Sequence, residues 1–207
     1  MLKIIGRKSS SNVQEVLWAC AEMKIKYECQ DAGREFGVVN TDEFFALNPN
    51  RKVPVIIDDG MVLWESNAIV RYLAAKFDMG GLCPIDPKVR ADADRWMDWQ
   101  LSALGPSFTD MFHGLIRHKP EERDWDKINA SRDKTEQHLK MLDANLAEKK
   151  WVTGDNFSMG DIPVGIYGYR WHAFENIERQ ELPNLKRWYE QLTERPAFQE
   201  FVMVGLG

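Results

Sequence analysis

Cysteine is scarce in this chain of 207 residues. The three cysteines, Cys20, Cys29 and Cys83, form neither a CxxC pair nor a metal-type cluster, and their odd number argues against a secreted disulfide framework. Apolar runs of the about 18 residues that a membrane span requires are also missing. The first residues, MLKIIGRK, lack the apolar stretch and the cleavage site of a signal peptide. We therefore expect a cytoplasmic protein that has no membrane partner.

An excess of positive charge is missing as well, because 27 Lys and Arg residues stand against 32 Asp and Glu residues. The net charge of −5 gives no electrostatic attraction to nucleic acid or to anionic membranes, so neither is an expected partner. His113 and His118 are five positions apart, which does not place two ligands on one helix face, and we predict no metal site. The composition is otherwise that of a folded globular protein, with 44% hydrophobic and 29% charged residues.

The first 30 residues of the chain have the pattern of a βαβ unit. Residues 2–6 form a short apolar run that predicts a buried strand. From Val13 onward apolar residues recur at helical spacing, and a second apolar patch lies at 27–29. In such a unit the two strands pair in parallel, and the helix between them forms a right-handed crossover.

A second group of elements follows at residues 41–77. A short helix is predicted at 41–47, and two strand-like runs at 53–58 and 61–64 flank Asp59-Gly60, a tight-hairpin signal. Ser66 then opens an amphipathic helix. The chain thus predicts a small α/β layer in its N-terminal part.

The pattern changes after residue 78. The stretch 79–86 is rich in glycine and proline and is predicted to be a linker. Beyond it we find helical spacing only, including one long helix from about 88 to 117. We predict an α/β domain at 1–78 and an all-α domain at 87–207.

Four local sequences occur in order along the chain: SSSN (9–12), NPNRKVPVIIDDG (48–60), ESNAIVRYLA (65–74) and the helix-start signal FSMGDI (157–162). Together they resemble the glutathione S-transferase family, and specifically its bacterial, serine-type members with a theta- or delta-like active-site loop. The resemblance implies a thioredoxin-like N-terminal domain and an all-α C-terminal domain that contributes the second-substrate pocket. It also implies a homodimer, with glutathione as co-substrate and no permanently bound cofactor.

The resemblance implies that glutathione lies along two motifs. The Val53-Pro54 bond is cis in the family, and the Val53 backbone would pair with the extended tripeptide. Lys52, with Asn50 nearby, would meet the glycine carboxylate, while Glu65 and the cap residue Ser66 would bind the γ-glutamyl group. Read without the resemblance, Pro54 simply begins a strand and Ser66 simply caps a helix.

The serine loop is the predicted catalytic element. A glutathione thiol has a pKa near the ~8.5 of free cysteine, so only a few per cent is thiolate at neutral pH. By resemblance Ser10 stabilises the thiolate, with Ser11 and Asn12 as alternative donors. The alternative interpretation is that the same residues form an ordinary polar loop with a helix cap and have no catalytic role.

The second-substrate pocket is predicted from Phe108, Met111 and Phe112, although a stripe of Met and aromatic residues at helical spacing also suits a core. Asp161 pairs with Ser158 as a capping box and has no expected catalytic duty. The predicted function is conjugation of glutathione to a small apolar electrophile. The alternatives are a non-catalytic binding or interaction protein of the same fold and a glutathione-dependent disulfide or peroxide reductase.

Overall fold

The computed structural model describes residues 1–206. Four strands form one mixed sheet in the order β2-β1-β3-β4. They are β1 (Leu2–Ile5), β2 (Tyr27–Gln30), β3 (Val55–Asp58) and β4 (Met61–Trp64). β1 pairs in parallel with β2, whereas β3 runs antiparallel to both β1 and β4. The predicted βαβ unit and the hairpin at Asp59-Gly60 are therefore confirmed.

Helices make up most of the remaining chain. They are α1 (Ser11–Glu22), α2 (Asp42–Leu47), α3 (Ser66–Phe77), α4 (Pro87–Trp99), α5 (Gly105–Ser107), α6 (Thr109–Phe112), α7 (Trp125–Leu146), α8 (Asp161–Ala173), α9 (Pro183–Thr193) and α10 (Pro196–Phe201). Between residues 86 and 206 no strand is formed, as the helical spacing predicts. No helix within residues 1–206 has both the length and the apolarity needed to cross a bilayer.

The sheet separates two apolar layers. On one face α1 and α3 pack side by side and join a continuous core that extends into the helical domain. On the other face Phe44 of α2 packs with Ile5 and Val55 in a smaller cluster. The result is a thioredoxin-like domain joined to an all-α domain through α1 and α3. The boundaries 1–78, 79–86 and 87–207 stay a prediction, and residue 207 lies outside the described residues.

The long helix predicted at about 88–117 is interrupted, which corrects that prediction. α4 continues into a π-helical segment at Gln100–Leu104, and after α5 and α6 a second π-helical segment spans His113–Arg117. Pro106 lies in the first turn of α5 and has no N–H to donate to the preceding turn, which accounts for the first interruption. The second π-helical segment contributes His113 and Arg117 to the cleft between the domains.

The Ser158–Asp161 motif forms the predicted fold-stabilising contact at the start of α8. Asp161 is fully buried, and its carboxylate accepts hydrogen bonds from the Ser158 N–H (3.0 Å), the Val152 N–H (3.0 Å) and the Trp188 indole N–H (2.9 Å). The Ser158 hydroxyl accepts a bond from the Gly160 N–H at 3.3 Å. These bonds tie the loop before α8 to α9.

Candidate functional site

The loop between β1 and α1 presents Ser10 at the N-terminus of a twelve-residue helix. Ser10 is the N-cap residue, with extended backbone angles, and its carbonyl accepts the first helical bond, from Gln14 N–H at 2.8 Å. Its side chain makes no capping bond. The hydroxyl has no hydrogen-bond partner within residues 1–206, so it is available to a ligand beside the positive end of the helix dipole.

The neighbouring alternatives differ from Ser10. The Ser11 hydroxyl donates to Asn12 Oδ1 at 3.4 Å, so it is partly engaged within the loop. Ser11 lines the interdomain cleft together with Ser9 and Ser10, whereas Asn12 is exposed and lies outside it. The geometry therefore favours Ser10 over its two neighbours as the donor.

The turn before β3 contains the cis Val53-Pro54 bond, so the expected cis geometry is confirmed. Neither the N–H nor the C=O of Val53 is hydrogen-bonded to any other residue in the described part of the chain. The Asn48 side chain holds the turn by donating to the Lys52 carbonyl at 2.8 Å. The Lys52 and Asn50 side chains are exposed beside it.

The turn between β4 and α3 corrects the prediction that Ser66 is the cap residue of α3. Ser66 is the first residue of α3, and Glu65 holds the N-cap position without a side-chain capping bond. Glu65 has φ 72° and ψ 114°, a conformation that costs about 1–3 kcal/mol for a residue other than glycine. Its carboxylate is exposed, and Ser66 is buried at the helix start. Both can meet a charged group at this terminus.

Three chain segments converge at the end of the sheet. The pairing of Val55 with Trp64 places the Val53-Pro54 and Glu65-Ser66 turns next to each other. Gly6 lies at the end of β1, and a Cβ atom there would stand 2.6 Å from a Val13 methyl group and 3.1 Å from the Val53 Cβ. A side chain at Gly6 would collide with both residues, so glycine lets the first turn of α1 and the Val53 turn approach the end of β1.

A cleft of about 230 Å³ opens between the serine loop and the helical domain. Its walls come from both domains: Arg7, Ser9, Ser10, Ser11, Arg34, Gly105, Phe108, Thr109, Phe112, His113, Arg117, Tyr167 and Arg170. Phe108 and Phe112 are among its lining residues, although Phe108 is only 1% exposed, and their role in binding a second substrate stays a prediction. Met111 does not line the cleft, because it is fully buried on the face of the helix that packs toward α7, where its N–H bonds to Ser131. Its assignment to the pocket is corrected.

The positive charge of this cleft is not predicted by the sequence. Four arginines line it, and no Asp or Glu side chain is among the lining residues. The expected apolar second substrate conflicts with this lining. Arg7, Arg34, Arg117 and Arg170 are dispersed along the sequence and form no local motif, and the net charge of the chain is negative. The position of Arg7 just before the serine loop is the one signal that the sequence offers.

Glu15 lies under the cleft, one helical turn after Ser11. It is 1% exposed, and its Oε2 atom has no partner among the described residues. Burial raises the pKa of Glu15 to about 8, and the nearby Ser66 hydroxyl and Arg170 guanidinium offset only part of that effect. At neutral pH the protonated carboxyl therefore prevails, and it leaves the charge of Arg170 largely uncompensated.

Comparison with known proteins agrees with this geometry. Residues 3–75 match the model of the glutathione S-transferase N-terminal domain, and residues 96–196 match that of the C-terminal domain. The chain is 43% identical, over 99% of both sequences, to a protein from Escherichia coli strain K12 named glutathione S-transferase GstB. The chain belongs to the glutathione S-transferase family.

Solved structures of glutathione S-transferases share the fold. A theta-class enzyme from Xanthomonas axonopodis pv. citri with glutathione bound superposes with a TM-score of 0.94 at 44% identity, covering 100% of this chain and 99% of that one. A delta-class enzyme from Nilaparvata lugens gives a TM-score of 0.86 at 26% identity, with 98% and 93% covered. Among residues 1–206 of this glutathione S-transferase, no three His, Cys, Asp or Glu side chains are grouped as a metal site would require.

Proposed function

We propose that this protein binds glutathione, holds its sulfur as a thiolate and transfers that sulfur to a small electrophile. The observation that carries the proposal is the unengaged Ser10 hydroxyl at the start of α1, facing the interdomain cleft. A hydroxyl donor and the N-terminal end of a helix both favour an anion over the neutral thiol.

The chemistry requires a modest shift in the thiol pKa. A reduction of two units, worth about 2.7 kcal/mol, would make the thiolate the majority species at neutral pH. A hydrogen bond to a charged acceptor contributes about 1.5–3 kcal/mol, and a helix N-terminus adds about 0.3–1 kcal/mol. The two groups at Ser10 are thus sufficient for the shift.

Glutathione would lie across the two adjoining turns. The free N–H and C=O of Val53 suit the backbone of an extended cysteinyl residue, as in an added antiparallel strand. Glu65 and the start of α3 at Ser66 suit the ammonium and the carboxylate of the γ-glutamyl group, and Lys52 suits the glycine carboxylate. The cysteinyl sulfur would then point toward Ser10.

Two further assignments belong to the same proposal. The protein would act in the cytoplasm, which fits its three free cysteines, Cys20, Cys29 and Cys83. It would act as a homodimer, which fits the exposed apolar side chains on the edge strand β4. Glutathione would bind as a co-substrate and leave with each turnover.

One observation favours a second candidate function. The chain is 30% identical, over 75% of its length and 73% of the relative, to an Escherichia coli protein named disulfide-bond oxidoreductase YfcG. A thiolate bound at Ser10 could attack a disulfide or a peroxide as well as a carbon electrophile. A binding protein without turnover is the third possibility.

Replacement of Ser10 by Ala tests the proposal. We expect kcat/KM for conjugation to fall about 10- to 100-fold, because one hydrogen bond to the thiolate is lost. The pH titration of thiolate absorbance in the glutathione complex should move toward the value of free glutathione. Ser102→Ala, at an exposed serine away from the cleft, is the matched control and should leave both measurements unchanged.

The substrate panel separates the candidates. An aryl halide, a mixed disulfide and an organic hydroperoxide should be assayed with the wild type, Ser10→Ala and Ser11→Ala. Turnover of the aryl halide that depends on Ser10 supports conjugation, and turnover of the disulfide alone supports the reductase. Dependence on Ser11 would transfer the donor role to that residue. Rates that no serine variant changes would overturn thiolate stabilisation by this loop.

A further inference from the structure

The cleft in front of Ser10 gathers four arginines from both domains. Arg7 and Arg34 come from the thioredoxin-like domain, and Arg117 and Arg170 come from the second π-helical segment and from α8. A second substrate that enters this cleft must pass these guanidinium groups. An apolar substrate offers no charged group for these four guanidinium groups to bind, so it does not explain why they line the cleft.

No acidic side chain among the described residues lines the cleft beside this cluster. Within residues 1–206 none of the four arginines forms an ion pair, and none donates a side-chain hydrogen bond. The Nε atom of Arg7 is buried without any partner. Burial lowers the pKa of Arg7, Arg117 and Arg170, and repulsion from Arg34 lowers the pKa of Arg7 and Arg117 further. The negative charge of Glu35 raises the pKa of Arg7 and so opposes part of this effect, but Glu35 forms no ion pair with the cluster and does not line the cleft. Positive charges this close together favour a bound anion.

Aromatic rings position two of these arginines. The Arg170 Cζ atom lies 4.5 Å from the centre of the Phe112 ring and 5.5 Å from that of Tyr167. The Arg117 Cζ atom lies 5.2 Å from the same Phe112 ring. A cation–π contact holds a guanidinium without using its N–H donors or cancelling its charge. Phe112 therefore brings the two donor groups together and leaves them available.

We propose that the electrophile conjugated by this protein is a small carboxylate, whose anionic group is bound by Arg117 and Arg170 while its reactive carbon faces the sulfur beside Ser10. This inference rests on the proposed function and names the substrate class. A guanidinium fork matches the two oxygens of a carboxylate. The carboxylates of glutathione itself are placed at Lys52 and Ser66, neither of which lines this cleft.

The reaction is a displacement at a carbon that carries a leaving group next to the carboxylate. The thiolate forms a sulfur–carbon bond, and the carbon–halogen bond breaks with its electron pair leaving as halide. The carboxylate is unchanged, and the thiol proton has already passed to water. Because nucleophile and substrate are both anions, the arginines also reduce the repulsion between them.

A matched pair of electrophiles tests the proposal. Iodoacetate and iodoacetamide share the leaving group and the size but differ in charge. The enzymatic kcat/KM of each should be divided by its uncatalysed rate with glutathione. We expect this ratio to be about tenfold or more higher for iodoacetate, because hydrogen bonds to a charged group are the stronger ones.

Charge removal should erase that preference. Arg117→Gln should lower the ratio for iodoacetate about 10-fold and leave iodoacetamide and the KM for glutathione nearly unchanged. Arg170→Gln should act in the same direction. Because Arg170 is half-buried and its variant could fold poorly, the exposed Arg117 carries the test. Lys186→Gln, an exposed charge outside the cleft, is the control and should alter neither substrate.

Binding of the products gives a readout that needs no turnover. By calorimetry, S-carboxymethyl glutathione should bind more tightly than S-carbamoylmethyl glutathione, and Arg117→Gln should equalise the two. Equal product affinities in the wild type would overturn the inference. Turnover of both electrophiles that depends on Ser10 but shows no preference for iodoacetate would do the same, while the proposed function stands. Absence of turnover together with absence of product binding would overturn both.

Discussion

The first turns of α1 contain two side chains with different electrostatic environments. Ser10 stands at the solvent-accessible start of the helix, where unpaired N–H groups favour negative charge. Glu15, one turn further along, is enclosed where no donor reaches its Oε2 atom. The same helix thus favours an anion at its tip and disfavours one in its interior. This difference keeps the positive charge of the cleft available to ligands.

The buried carboxyl predicts a pH dependence of stability. Burial raises the pKa of Glu15 from an ordinary 4.5 to about 8 in the native state. Between these values the native protein holds a proton that the unfolded chain releases. The contribution of Glu15 to the free energy of unfolding is therefore fully present below about pH 4.5 and is lost as the pH rises through 8. The free energy of unfolding should decrease by up to about 1.4 kcal/mol per pH unit across this window.

Replacement of Glu15 by Gln should remove this slope, because the amide does not titrate. Urea unfolding of the wild type and the variant between pH 5 and pH 8 measures it. Glu28→Gln, at an exposed position of β2, should retain the wild-type slope. Parallel slopes for the wild type and Glu15→Gln would show that the carboxyl is already ionised in the native state.

At the scale of elements, α1 packs against α8 where a large side chain, Trp18, faces a glycine, Gly165. Trp18 is fully buried and contacts Phe198 of α10 edge-on, with ring centres 4.9 Å apart. Gly165 of α8 faces it, and a Cβ atom there would lie 2.8 Å from Trp18 Cη2 and 3.2 Å from Leu192 Cδ1. The close approach of the two helices therefore depends on this glycine.

Substitution of Gly165 by Ala should destabilise the fold by about 1–3 kcal/mol through overpacking. Helix propensity alone would predict the opposite sign, a gain of about 1 kcal/mol. Urea unfolding of Gly165→Ala, Trp18→Phe and the double variant forms a cycle. The smaller Phe ring should absorb most of the cost of the alanine, which gives a coupling energy. Strictly additive effects would mean that the two residues do not collide.

At the scale of the whole molecule, the end of the chain is fastened to its beginning. Arg195, just before α10, donates two hydrogen bonds to Glu22 of α1, at 2.8 Å and 2.6 Å. The Trp18 indole donates to the same carboxylate at 2.7 Å. β4, by contrast, is an edge strand of the sheet and has exposed Met61 and Val62 side chains. The segment before α10 therefore packs on α1, whereas β4 presents apolar side chains to solvent.

The exposed edge predicts self-association. Met61 and Val62 are 40% and 38% exposed, and burying them against a second copy would remove apolar area from water. Sedimentation should give the mass of two chains for the wild type and of one chain for the pair Met61→Glu and Val62→Glu. Ile85→Glu changes an apolar residue that is 69% exposed in the segment between the domains, and it should stay dimeric. A monomeric wild type would refute the homodimer.

Local chemistry determined the order of the elements. The strands near Ile4 and Val55, the hairpin at Asp59-Gly60 and the helix that starts at Ser66 follow from side-chain periodicity and turn residues, which act over a few positions. The motifs that carry the family resemblance also lie within short segments, so they could be recognised in the order in which they occur. For this reason the fold class and the family were accessible without coordinates.

Packing between distant segments decided the rest. Met111 and Phe112 are adjacent in sequence, yet the direction of the helix buries one and exposes the other to the cleft. Arg7 and Arg170 come from opposite ends of the chain, and they line one cleft because α1 packs against α8. Long-range convergence leaves no periodic signal, since each arginine alone suits a solvated surface. The charge that selects the second substrate is therefore a property of the tertiary structure.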